Sequence, residues 1–195
     1  MPTYLILFLP AALAWRLTTV AISSRNERSL KANGAREYGT PGSMLLAGFH
    51  VAFYIATMVE TNMRQTVETT ISYVGIALYL FSVSALISVI RSLGSLWTIK
   101  LIIAPHHQVV STGLFSLVRH PNYFVSIVPE LLGLGLATNA YGTICIGLPL
   151  YAIPLFLRVR EEERVMRVLV TGYREARTFI PCQSHAPGIA VENVA

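Results

Sequence analysis

Residues 71–90 read Ile-Ser-Tyr-Val-Gly-Ile-Ala-Leu-Tyr-Leu-Phe-Ser-Val-Ser-Ala-Leu-Ile-Ser-Val-Ile, a run without a single charge. A hydrocarbon core about 30 Å thick takes roughly 20 apolar residues of α-helix to cross, so this run predicts a membrane-spanning helix. Four further runs approach that length on either side of it: residues 4–22, interrupted by Arg16; 44–60, which contains His50; and the shorter 123–138 and 143–158. The last two meet at Thr138-Asn139-Ala140-Tyr141-Gly142, a link whose Asn and Gly suit a tight helical hairpin. The predicted fold is therefore all-α, a polytopic membrane protein of about five transmembrane helices. It forms one domain over residues 1–183, and the small, polar residues 184–195 form a flexible tail.

Composition agrees with that reading. Of 195 residues, 53% are hydrophobic and 13% charged, with a mean hydropathy of +0.56, whereas soluble domains carry about 25% charged residues. The deficit excludes a disordered chain, a nucleic-acid-binding arm and an ordinary cytosolic enzyme, and nucleic acid is not an expected partner. Met1-Pro2-Thr3 supplies no basic n-region, so the first run is expected to stay as a helix instead of leaving as a signal peptide. Cys145 and Cys182 have no metal spacing and build no disulfide framework.

The net charge is +5, and every acidic residue is Glu. Thirteen of the fifteen Lys and Arg residues fall in three segments: Arg25 to Arg36, Arg91 to Arg119, and Arg158 to Arg177. Five spans put these segments on one side, with Arg64 opposite, and the positive-inside rule makes the basic side the cytoplasm.

Two basic segments have the order of residues that chemistry requires. Between spans three and four lie about 30 residues of mixed polarity, too long for a simple connection. They contain His106-His107, Gly113, Phe115 and Arg119-His120-Pro121-Asn122-Tyr123. The three histidines have no Asp, Glu or Cys beside them, so a metal site is not expected. A Gly-containing loop leading to a basic pair at a helix start suits an anion, with Pro121 in the first turn where its missing N–H costs nothing. The second segment, Arg158-Val-Arg-Glu-Glu-Glu-Arg164, reads either as a solvated helix with i,i+4 ion pairs or as a site in which Arg158 faces a cavity between helices. His50 and Glu130, polar at mid-span, read as a helix-packing hydrogen bond and an interface residue beside Pro129.

The order His-x-Val-Val-x-x-Gly-x-Phe-x-x-x-Arg-His-Pro-x-Tyr (His107 to Tyr123), the hairpin with Asn139 at its turn, and Arg-x-x-x-Glu-Glu (Arg158 to Glu163) together resemble the isoprenylcysteine carboxyl methyltransferase family. The resemblance runs from about Arg91 to Pro181. Finer features, Arg25-Asn26-Glu27, the stretch from Arg91 to Lys100, and Asn122, resemble the bacterial branch that O-methylates alkylpyrones and alkylresorcinols from polyketide synthases. The resemblance implies S-adenosylmethionine in a cytoplasmic pocket closed by the loop and a C-terminal cytoplasmic helix. His107, Val109, Val110 and Gly113 would hold it, and Phe115, Arg119, His120, Tyr123 and Asn139 would complete its wall. Arg158, Glu162 and Glu163 would stand at the methyl-transfer centre.

The implied acceptor is a lipophilic molecule, of the alkylpyrone or alkylresorcinol kind or a prenylcysteine carboxylate, entering from the surrounding membrane lipids of a bacterial inner membrane, with a polyketide synthase as a supplier of the former. Two positions depart from the family: Leu86 stands where eukaryotic members carry an arginine, leaving Arg91 or Arg158 to replace it, and Phe115 stands where Tyr is usual. A phenolic acceptor would need a base, Glu163 or His120, whereas a carboxylate or hydroxypyrone arrives ionised. Competing readings are an NADPH-dependent membrane reductase of related architecture, a phospholipid N-methyltransferase and a non-enzymatic membrane scaffold.

Overall fold

In the computed structural model, residues 2–64, 67–105, 110, 112–170 and 173 are described. Five helical segments follow one another: α1 (Thr3–Ala32), α2 (Thr40–Met63), α3 (Thr70–Leu93), α4 (Val128–Ala137) and α5 (Leu148–Leu169). Wide π-turns lead into the last two, Asn122–Ile127 before α4 and Thr143–Gly147 before α5. Among the described residues, four helical stretches are long and apolar enough to cross a membrane, and Asn122–Ala137 is a shorter apolar one. The chain is an all-α polytopic membrane protein, as its apolar runs predict.

Contacts define two ends. At the basic end, β1 (Arg36–Tyr38) pairs antiparallel with β2 (Leu101–Ile103), Arg36 opposite Ile103 and Tyr38 opposite Leu101. Lys31 and Lys100 both bridge to Glu27, at 2.5 and 2.7 Å, and Asn26 donates to the Trp97 carbonyl at 2.8 Å. The two-stranded ladder ties the first connection to the third. Neither strand is foreseen in the sequence, because three residues are too few to show a period.

At the opposite end the Tyr4 hydroxyl donates to the Ala137 carbonyl at 2.8 Å. Thr69 caps α3, accepting from the Ser72 amide at 3.2 Å. Glu60 of α2 caps the stretch leading into α5 from outside it, accepting from the Gly142 and Thr143 amides at 2.9 and 2.6 Å. The hairpin turn hinges on Asn139, at φ +56°, a left-handed conformation that Asn tolerates better than most residues. α3 and α4 pack at backbone distance: a Cβ on Gly75 would lie 2.2 Å from the Ala137 nitrogen, and one on Gly133 would lie 2.6 Å from the Tyr79 nitrogen. Leu131, Leu134, Tyr79, Phe53, Tyr151 and Leu155 form the core between helices.

Candidate active site

The basic end of α5 turns Arg158 inward, where it is 2% exposed. Burying a guanidinium is costly unless its donors are met. Nε donates to the Tyr123 hydroxyl at 3.4 Å. Nη1 has no hydrogen-bond partner among the described residues, and Glu161 Oε2 stands 3.7 Å away. The Tyr123 hydroxyl in turn donates to Glu162 Oε2 at 2.6 Å. Arg158, Tyr123 and Glu162 thus form a chain across the gap between the entry to α4 and the exit of α5.

His120 lies beside that chain, 3% exposed, its Nε2 2.8 Å from Glu163 Oε1 and its Nδ1 3.4 Å from Glu162 Oε1. Burial opposes the charged imidazole, but hydrogen bonds and charge from Glu162 and Glu163 outweigh it and raise the pKa to about 9. At neutral pH His120 is a cation, donating through Nε2 to Glu163 and paired through Nδ1 with Glu162. Glu163 also accepts from the Tyr173 hydroxyl at 2.9 Å and from Arg167 Nη2 at 2.8 Å. Arg119 closes this side, donating to the Tyr173 carbonyl at 3.2 Å with its guanidinium 4.9 Å from the Tyr173 ring centre.

The structure therefore brings Arg158, Glu162, Glu163, Arg119, His120 and Tyr123 together and adds Tyr173 and Arg167, which the sequence reading missed. Arg167 was legible as an i,i+4 partner of Glu163; Tyr173 lies beyond the last helical turn and gave no periodic signal. Gly113, at φ +61°, lies against α3, where a Cβ would come 3.0 Å from the Ser92 hydroxyl. Phe115 packs with Leu86, Val89 and Trp97, which makes the Leu86 position part of an apolar wall, while Arg91 is exposed. Val110 is half-buried; His107 and Val109 lie outside the described residues.

Asn139 is not brought to the cluster. Its amide donates to the Val67 carbonyl at 2.6 Å, at the end of the bundle opposite His120, because it stands sixteen positions after Tyr123, a climb of about 24 Å as a helix. It shapes the hairpin instead. Glu130 departs from the interface reading as well: it is 1% exposed and paired with Arg16.

Residues 75–168 match the model of the isoprenylcysteine carboxyl methyltransferase (ICMT) family, a stretch that contains His120, Tyr123, Arg158, Glu162 and Glu163. A protein of Haemophilus influenzae, whose name is "Uncharacterized protein", is 43% identical over 154 residues, covering 79% of this chain and 90% of its own. The Bacillus subtilis protein "Uncharacterized protein YpbQ" is 28% identical over 153 residues, covering 78% of this chain and 90% of its own. No solved structure matches.

Proposed function

The chain belongs to the isoprenylcysteine carboxyl methyltransferase family, and from that premise we propose that it uses S-adenosylmethionine to O-methylate a lipophilic acceptor at the cytoplasmic face of the membrane. The observation that carries the proposal is Arg158: a buried guanidinium whose Nη1 lacks a hydrogen-bond partner among the described residues is a prepared donor for an oxyanion. Arg119 Nε, also without a hydrogen bond among the described residues, already faces Glu163 Oε1 at 3.7 Å.

When bound, S-adenosylmethionine supplies an electrophilic methyl group. The segment from His107 to Gly113, with Arg119 and Tyr123, would hold it, as the family resemblance implies. The remaining work falls to the chain's own side chains. Arg158 orients the acceptor oxygen, Tyr123 and Glu162 fix the Arg158 fork, and the apolar walls keep water out, since methyl transfer from a sulfonium needs alignment and dryness more than a strong acid or base.

The pairing of His120 with both carboxylates bears on the acceptor. His120 is already protonated at neutral pH, and Glu163 already accepts from His120, Tyr173 and Arg167, so neither is a free base. That favours an acceptor that arrives ionised, a carboxylate or a hydroxypyrone of the alkylpyrone kind, over an alkylresorcinol.

Calorimetry on the detergent-solubilised protein tests the cofactor: saturable heat with S-adenosylhomocysteine is expected. Binding of NADPH in its place would move the protein to the reductase reading. With labelled methyl donor and a lipid acceptor, Arg158→Ala is expected to lower turnover by about 10² to 10³ with donor affinity kept. Arg158→Lys should be impaired too, because a point charge does not reproduce the planar fork. Wild-type turnover in Arg158→Ala would leave the buried guanidinium a purely structural group and remove it from the methyl-transfer centre.

A further inference from the structure

Glu130 is the most deeply buried carboxylate among the described residues, on the face of α4 that looks into the bundle. It accepts from Arg16 Nε of α1 at 2.6 Å, with Arg16 Nη2 making a second contact to its other oxygen, and from the Tyr54 hydroxyl of α2 at 2.5 Å. The Tyr54 hydroxyl meets that of Tyr79 on α3 at 3.2 Å. His50 of α2 stands beside them, its Nε2 3.7 Å from Glu130 and its Nδ1 3.3 Å from the Tyr151 hydroxyl of α5. Side chains from all five helices thus converge around one carboxylate, at a depth where an ionised group needs a partner.

Length alone does not hold the helix that carries Glu130 at its depth. The stretch Asn122–Ala137 is about 24 Å long, shorter than a core of about 30 Å, so hydrophobic matching does not fix its position. Two turns from Glu130 on the same helix stands Tyr123, also buried, with the wide turn Asn122–Ile127 between them. Through Tyr123 this element reaches Arg158 and Glu162.

We propose that Arg16 and Glu130 are positioning residues for the site at the basic end: their ion pair sets the depth and rotation of α4, and thereby where Tyr123 and His120 stand against Arg158 and Glu162. That the site transfers methyl groups rests on the preceding proposal; the positioning itself does not.

The test reads the site without needing turnover. In full-length protein carrying ring-labelled histidine, with the signal assigned by His120→Gln, His120 should titrate near 9 in the wild type. It is faced by Glu162 and Glu163 of α5 and by Tyr123, with Arg119, Arg158, Arg167 and Tyr173 behind them. Glu130→Gln, and the double variant Arg16→Gln with Glu130→Gln, should each lower that titration by about a unit or more toward 6.5 as the imidazole leaves its carboxylates. Methyl transfer should fall roughly 10- to 100-fold, the scale of an ångström of misplacement.

The double variant keeps the test open if Glu130→Gln alone does not fold, because it leaves no buried charge unpaired. Arg16→Lys, which retains the charge without the two-pronged contact, should fold and give a smaller shift. A folded double variant in which His120 still titrates near 9 and turnover tracks stability would reduce the pair to a packing lock. The His120 shift in a protein that transfers no methyl group would overturn the methyltransferase proposal and leave the positioning intact.

Discussion

His120 is the residue at which local electrostatics become measurable. Its pKa in the folded chain, about 9, lies above the ordinary histidine value near 6.5. The folded state therefore binds its proton more tightly than the unfolded one. The stabilisation is fully present below pH 6.5 and is lost as pH rises through 9. About two and a half units correspond to roughly 3 kcal/mol. Thermal unfolding in detergent should show Tm falling between pH 6.5 and 10, and His120→Gln should flatten that fall; an unchanged slope in the variant would mean that other groups carry it. Much of this site was legible, since Arg158, Glu162, Glu163, His120 and Tyr123 stand in motif order in the sequence. The pairing of Arg16 with Glu130 was not read, although opposite charges in two apolar runs offered the signal: each, alone in hydrocarbon, demands the other.

At the scale of the element, the contact of α3 with α4 depends on having no side chain at Gly75 and Gly133, the small-residue packing that lets helices in lipid approach closely. Gly133→Val would drive two methyl groups into the Tyr79 backbone, and overpacking of this kind costs about 1–3 kcal/mol or more. Gly48→Ala on α2 meets nothing within 4 Å and should be neutral. Heating the two variants in detergent and following the monodisperse peak by size exclusion checks the contrast, with early loss expected only for Gly133→Val. The apolar runs located all five helices, because length and hydropathy are local properties. They misjudged the ends: α1 continues to Ala32, ten residues past the run 4–22, since a helix does not stop where hydrocarbon stops. The β1–β2 ladder depends on a pairing between distant residues that no local pattern encodes.

For the whole molecule, the contacts that gather β1, β2 and the exit of α5 at one end, and Glu60, Asn139 and Ala137 at the other, agree with the alternation of the basic residues. A reporter fused after Arg36 or after Pro181 should therefore be cytoplasmic, and one placed near Arg64 should face the other side. Finding Arg64 and Pro181 on the same side would remove the five-crossing arrangement.

The long chain separation within the Arg16–Glu130 pair also bears on how the protein is made. The two residues are 114 positions apart, and a ribosome adding about 5–20 residues per second needs on the order of ten seconds to go from one to the other. Throughout that interval the first helix carries an arginine without its counter-ion, a side chain that costs about 2.5–3.5 kcal/mol at the centre of a bilayer. The nascent helix must therefore wait, beside the insertion machinery or with Arg16 stretched toward the headgroups, until the fourth helix arrives to claim it. Final assembly of this bundle is consequently a late event in its synthesis, set by when residue 130 enters the membrane.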